Sequence, residues 1–311
     1  EYNMWDKIKG GLYGLLIGDA LGVPYEFRSA EQLPPLKHIE FTPPVGFQPT
    51  YRDVPAGTWS DDGAQALCLL ESLIDKGTLE LTDFADKLVD WYHEGRWAVS
   101  QQVFDIGIQT SRTLTTYYHG MSPYESGNTV PDGKGNGALM RVLPLALWHK
   151  GTDEQLVQNA HTQCLVTHGH ICNQVCCALY VLIARELLQK QDFNLCYRTA
   201  LSKLRKIYQQ MPEHERELEE NIQPDKVFYG EGSGYVVDSL FSACMILQTC
   251  TSYENAVKRA VALGNDTDTT ACITGGLAGI RYGYEHIPQL WINQLRETDL
   301  VDQLLLRLQS A

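Results

Sequence analysis

No apolar run in this sequence approaches the roughly 18 residues that a membrane-spanning helix needs, and no Cys-x-x-Cys pair occurs. The stretch from Glu1 to Lys9 lacks the basic-plus-apolar pattern of a secretory leader. Two-residue alternation of apolar and polar positions is nearly absent, which argues against strands with one wet face. Clustered positive charge is missing too. Twenty-five basic residues stand against 38 acidic ones, a net charge of −13. A nucleic-acid backbone is therefore a poor partner, because phosphate contacts need grouped Lys and Arg. A small phosphate-bearing ligand remains open, since backbone N–H groups and helix N-termini can hold one. The nine cysteines are odd in number and follow no framework spacing. Cys176 and Cys177 sit in the apolar run 175–183. Such cysteines are expected to be buried thiols in a reducing cytoplasm, not disulfides or zinc ligands.

What the chain does have is helical periodicity. Apolar residues recur at helical spacing over 64–74, 84–91, 139–148, 175–188, 197–208, 236–247, 256–263 and 273–282. A first helix is marked by Ile8, Leu12, Leu15 and Leu16 and is expected to end in Gly18-Asp19-Ala20-Leu21-Gly22. The prediction is an all-α fold of roughly ten or more helices. With 311 residues and no composition break, a single domain over 1–311 is expected. Two stretches lack the period: the Pro-rich 29–58 and the Gly- and Ser-containing 118–135. A third, more charged connection covers 209–234. Long irregular loops in a domain are usually functional or disordered, and the first two run directly into motifs.

Two of those motifs are acidic helix starts. Thr58-Trp59-Ser60-Asp61-Asp62-Gly63 opens the helix at 64, and Gly264-Asn265-Asp266-Thr267-Asp268-Thr269-Thr270 opens the one before 273. Capping accounts for one or two residues in each. It does not require two adjacent carboxylates, nor Trp59. Each cluster repels itself at neutral pH unless a cation or several donors compensate. Carboxylates and hydroxyls are hard oxygen ligands that suit Mg²⁺, Mn²⁺ or Ca²⁺. A shared two-metal site is the economical expectation. Asp19 reads as a cap or staple of its helix end. Glu26, in Pro24-Tyr25-Glu26-Phe27, is either a surface charge or a site carboxylate. Asp105, in Phe104-Asp105-Ile106-Gly107, is placed on an apolar helix, either bonding at the core edge or acting as a catalytic carboxylate. The turn Gly135-Asn136-Gly137 offers free N–H groups to a pyrophosphate, or is a plain loop-to-helix junction. His168 and His170 are two apart and cannot share a helix face as a zinc pair; His168 is either a cap or a ligand contact.

Together these motifs resemble the ADP-ribosylglycohydrolase family, the relatives of dinitrogenase-reductase-activating glycohydrolase. The order is Gly18-Asp19-Ala20-Leu21-Gly22, then Trp59 to Asp62, Phe104 to Gly107, Gly135 to Arg141, Thr167-His168 and Gly264 to Thr269, nearly the whole chain. The resemblance implies an all-α orthogonal bundle with a binuclear Mg²⁺ or Mn²⁺ cleft. It implies Ser60, Asp61 and Asp62 as one set of metal ligands and Asp266, Asp268 and Thr269 as the other. Glu26, Asp61, Asp62 and Asp105 are the implied catalytic carboxylates. Gly135, Asn136, Gly137, His168, Tyr235, Ile106 and Gly107 are the implied substrate contacts. Two departures stand out. Ser60 replaces the usual threonine and keeps its hydroxyl. Gly63 replaces a common threonine, which either loosens the helix start or leaves room for a different substrate group.

The chemistry implied is hydrolysis at ribose C1 through an oxocarbenium-like state, with a carboxylate as general base. ADP-ribosyl-arginine is the expected substrate, because Phe104-Asp105-Ile106-Gly107 resembles the arginine-directed bacterial branch. Serine-linked or nucleic-acid-linked ADP-ribose is the rival linkage. The rival from another class is an immunity protein that neutralises a cognate ADP-ribosyltransferase toxin by binding it. The doubly substituted Asp61→Ala, Asp268→Ala protein separates catalysis from binding.

Overall fold

The computed structural model describes residues 3–311. Glu1 and Tyr2, which open the stretch read for a leader, lie outside them. Along the described residues run α1 (Met4–Gly22), α2 (Asp61–Lys76), α3 (Leu81–Glu94), α4 (Ile108–Tyr118), α5 (Leu143–Trp148), α6 (Asp153–Cys164) and α7 (Ile171–Leu187). Then come α8 (Phe193–Tyr208), α9 (Pro212–Arg216), α10 (Val236–Thr249), α11 (Tyr253–Ala262), α12 (Thr267–Tyr282), α13 (Gln289–Gln294) and α14 (Thr298–Ser310). Among the described residues the only β-type pairings are two isolated bridges, Ser29 with Gly264 and Gly135 with Tyr235. The fold is all-α, as the periodicity implies. No helix among the described residues is long and apolar enough to cross a membrane. All nine cysteines are buried thiols outside any disulfide.

Two compact units form. The first takes in the chain up to Gly63, then Phe228–Gly234 and Asp238–Ala311; the second takes in Ala64–Val227 and Tyr235–Val237.

In the first unit α1 packs lengthwise on α12, and α11 also packs on α12. The N-cap Asn3 accepts from the Asp6 N–H, and residues Gly10 to Gly22 are all buried. As expected, the helix ends in Gly18 to Gly22, which form its last turn. These glycines belong to a series with one at every fourth residue on one face. A Cβ on Gly10, Gly14 or Gly18 would overlap the carbonyl oxygen of Gly279, Gly275 or Ala271 on α12. Each glycine in a helix costs about 0.5–1 kcal/mol relative to alanine, and the backbone-to-backbone contact of the two helices offsets it. The Tyr253 hydroxyl on α11 closes the packing by donating to the Gly14 carbonyl at 2.7 Å.

In the second unit α7 is buried on nearly all sides and packs against α5, α6 and α8. The helix expected over 139–148 begins only at Leu143. Pro144 has no N–H to give the carbonyl one turn back, so it is accommodated in a first turn and not in a helix interior. The connection 209–234 is less irregular than expected: α9 continues into a π-helical turn, Glu217–Ile222.

Candidate functional site

Three buried carboxylates converge in the first unit. Asp19 lies inside α1, Asp62 in the first turn of α2 and Asp268 in the first turn of α12. Each offers one oxygen, and the three oxygens lie within 4.8 Å of one another. None of the three side chains is more than 1% exposed. The glycine ridge explains how Asp19 and Asp268 come so close. Gly22 rests against the Asp268 backbone, where an added Cβ would be 2.5 Å from its N and Cα. The Thr267 hydroxyl ties the start of α12 to the Gly22 carbonyl at 2.7 Å.

Asp19 is the residue that sequence reasoning undervalued. It caps α2 from another helix. Its carboxylate accepts from the Ser60 N–H at 2.9 Å, the Gly63 N–H at 2.9 Å and the Ser60 hydroxyl at 2.7 Å. The start of α2 thereby receives the acceptor that free first-turn N–H groups need. The Ser60 oxygen keeps a lone pair and accepts weakly from the Asp62 N–H at 3.3 Å. The signal for Asp19 was its place directly after Gly18 on the glycine ridge.

The electrostatics are those of crowded anions. Burial pushes the Asp62 carboxyl well above the usual carboxylate range, and the charges of Asp61, Asp19 and Asp266 push it further; the Thr269 hydroxyl opposes this. Both Asp62 oxygens are sealed from solvent without a hydrogen bond of normal length. Helix N-termini under Asp62 and Asp268 relieve part of the repulsion. A divalent cation relieves far more, and buried carboxylate and hydroxyl oxygens are the donors that Mg²⁺, Mn²⁺ or Ca²⁺ prefer. The residues present fit such an ion.

Glu26 is 4% exposed, so the surface-charge reading does not hold. The Pro-rich loop reaches it: the Tyr51 hydroxyl donates to Glu26 Oε1 at 2.6 Å, and Thr50 Oγ1 donates to the Glu26 carbonyl. The next residues pair with the second acidic motif. Phe27 N–H donates to the Asn265 carbonyl at 2.8 Å, and Asn265 N–H donates to the Arg28 carbonyl at 2.7 Å. Gly63 is not an opening. A Cβ there would stand 2.8 Å from Leu16 Cδ2 and from Trp59 Cδ1. Trp59 and Leu16 fill the space a threonine methyl would take, which corrects the expectation of extra room.

The second unit holds the other candidates. Asp105 is not helical: it sits in an irregular stretch at φ 59°, and α4 begins three residues later with Gly107 as N-cap. Ile106 lies in the same stretch, half-buried. Aspartate tolerates the left-handed region better than most residues, and such conformations gather at functional sites. His168 is buried against Gly137, where a Cβ would lie 2.6 Å from its Nε2. Its Nδ1 pairs with the Thr167 hydroxyl at 2.8 Å. Burial pushes its pKa down to about 3, with Arg141 adding to the effect, so the ring is neutral. Gly135 bridges to Tyr235, and the Val236 N–H donates to the Lys134 carbonyl at 2.8 Å. Asn136 is buried, and its carbonyl accepts from the Met140 N–H. Arg141, which ends this motif, is fully buried on Gln65, Gln163 and the Phe84 ring.

With this geometry in view, comparison with known proteins is specific. The family model described as ADP-ribosylglycohydrolase matches residues 1–311. The chain is 32% identical over 307 residues to ADP-ribosylarginine hydrolase Tri1 of Serratia proteamaculans (strain 568), covering 98% of this chain and 79% of that protein. It is 27% identical to the ADP-ribosyl-[dinitrogen reductase] glycohydrolase of Rhodospirillum rubrum, covering 93% and 90%. A solved structure titled ADP-ribosylglycohydrolase-related protein complex superposes with a TM-score of 0.76 at 29% identity, covering 98% of this chain and 97% of that one.

Proposed function

The chain belongs to the ADP-ribosylglycohydrolase family, and on that premise we propose that it hydrolyses the N-glycosidic bond of ADP-ribosyl-arginine in modified proteins. The observation that carries the reading is the buried convergence of Asp19, Asp62 and Asp268, crowded by Asp61 and Asp266. The arginine linkage is supported by the name of the Serratia relative and by Phe104-Asp105-Ile106-Gly107. We read the 311 residues as one functional domain, which the full-length family match supports.

Ser60, Asp61, Asp62, Asp266, Asp268 and Thr269 would hold two Mg²⁺ or Mn²⁺ ions. When bound, such ions supply positive charge to ribose hydroxyls and water. Asp19 is proposed as a positioning residue that orients the Ser60 hydroxyl and the α2 start. In the reaction a water oxygen bonds to C1 of the ribose as the C1–N bond breaks. The bonding pair leaves on the guanidine nitrogen, which gains a proton, and a carboxylate takes the proton lost by water. Glu26, Asp61, Asp62 and Asp105 are the candidate bases. Gly135, Asn136, Gly137, His168, Tyr235, Ile106 and Gly107 are proposed contacts of the ADP-ribose. Neutral His168 can donate or accept at Nε2 without adding charge.

The substrate must be supplied by an arginine-directed ADP-ribosyltransferase, so we propose such an enzyme, a cognate toxin included, as functional partner. Nine buried thiols outside any disulfide suit a reducing compartment, and we place the protein in the cytoplasm. The test is release of ADP-ribose from arginine-, serine- and nucleic-acid-linked substrates. Release from arginine is expected; release from serine alone would overturn the linkage.

A further inference from the structure

One stretch of the Pro-rich loop, residues 47–51, lies along residues 24–28. The Thr50 N–H donates to the Pro24 carbonyl at 2.9 Å, and Arg28 Nη2 donates to the Gln48 carbonyl at 2.9 Å. Phe47 packs on Tyr25, with ring centroids 5.1 Å apart. Within this frame Glu26 is gripped twice. Thr50 Oγ1 donates to its main-chain carbonyl, and the Tyr51 phenol donates to its Oε1 at 2.6 Å. Pro49 fixes one backbone torsion directly before the gripping pair.

The place of Glu26 gives the second grip its meaning. Glu26 is buried, and one of its carboxylate oxygens lies within 4.8 Å of an Asp268 oxygen. Two carboxylates at that range repel each other, so a Glu26 side chain left unheld is driven away from Asp268. A phenol bonded to one oxygen opposes this, because a hydrogen bond to an ionised acceptor is about twice as strong as a neutral one. The Tyr51 ring itself is only half-buried. It borders a cavity of about 180 Å³, walled also by Val23, Pro24, Pro49, Val54 and Pro55. Packing therefore leaves the ring loose on that side, and a phenylalanine would fill the same space. What tyrosine adds is the hydroxyl on Glu26.

We propose that Tyr51 is a positioning residue for the hydrolysis: its hydroxyl fixes the orientation of the Glu26 carboxylate beside Asp268. This rests on the reading of the chain as an ADP-ribosyl hydrolase with Glu26 among its working carboxylates. Tyr51 acts through Glu26, so its loss slows the chemical step more than it weakens substrate binding.

The test compares wild type, Tyr51→Phe and Val54→Ala by steady-state release of ADP-ribose and by thermal melts. Loss of a hydrogen bond to a charged group corresponds to about 10- to 100-fold in rate. Tyr51→Phe is expected to lower kcat by about that factor, with KM within about 2-fold of wild type and the protein folded at the assay temperature. Val54→Ala loosens the same loop at the cavity wall while keeping the hydroxyl, and is expected to keep its kcat. Full kcat in Tyr51→Phe, whether or not KM rises, would overturn the proposal. So would an equal fall of kcat in Val54→Ala, which would make loop packing the cause. A Tyr51→Phe protein that melts below the assay temperature would overturn it as well, since the hydroxyl would then serve the fold. A wild type that releases no ADP-ribose from any linkage would overturn the hydrolase reading and this one with it; full kcat in Tyr51→Phe leaves the hydrolase reading standing.

Discussion

Gly22→Ala should damage both stability and activity, although it adds only one methyl to a helix. The new Cβ would lie 2.5 Å from Asp268 N, Asp268 Cα and the Thr267 carbonyl oxygen, where ordinary contact begins at 3.4 Å. About 0.9 Å of separation is missing, and all three obstacles are backbone atoms that cannot rotate aside. Overpacking of this kind costs about 1–3 kcal/mol. Alanine in place of a helical glycine would otherwise gain about 0.5–1 kcal/mol, so the net loss is roughly 1–2 kcal/mol. The melting temperature should fall by roughly 2–8 °C. Moving Asp268 away from Asp19 and Asp62 should reduce ADP-ribose release by on the order of 100-fold. Thermal melts followed by circular dichroism and a release assay measure the two effects. A variant that melts at or above the wild-type temperature would refute the packing argument. One that melts lower yet keeps full activity would refute the claim that the helix contact positions Asp268.

Asp19→Asn keeps the shape but replaces one acceptor oxygen with a donor facing the Ser60 or Gly63 N–H. A loss of about 2–4 kcal/mol in urea unfolding is expected, with activity falling more than stability alone explains. Gly63→Thr should cost about 1–3 kcal/mol through overlap with Trp59 and Leu16; a neutral result in the same titration would restore the idea of spare room. Acid should unfold the second unit through His161, which is bonded to Tyr208 at 2.7 Å and stacked on His214. Burial first, then His214, lowers its pKa to about 3 from 6.5. The unfolded chain therefore binds the extra proton, and stability is intact above about pH 6.5 and falls as pH drops toward 3, by on the order of 4 kcal/mol. Urea midpoints at pH 7 and pH 4 check this; a His161→Gln protein should show a flatter dependence.

The helix content was legible because Leu, Ile, Val and Ala recur every three to four residues, a pattern that burial alone enforces. The two acidic motifs were legible because adjacent aspartates at helix starts need compensation. Asp19 was harder to read. Its partners Ser60 and Gly63 are 41 and 44 residues away, and local sequence shows a helix position, not what faces it. The spacing of Gly10, Gly14, Gly18 and Gly22 against Gly275 and Gly279 was the available clue that α1 and α12 touch. Asp105 misled for the opposite reason. Apolar neighbours mimicked a helix, whereas the backbone turns left-handed at that residue. Pro144 displaced the start of α5 by removing one N–H.

The central claim is that the buried carboxylates around Asp62 release ADP-ribose from arginine only with divalent cations in place. The direct measurement is ADP-ribose release from an ADP-ribosylated arginine substrate in Mg²⁺ or Mn²⁺, after EDTA, and after the metal is restored. The expected result is turnover with metal, its loss in EDTA and its recovery on re-addition, with none in Asp62→Asn. Release that persists undiminished in EDTA, or in Asp62→Asn, would contradict the account.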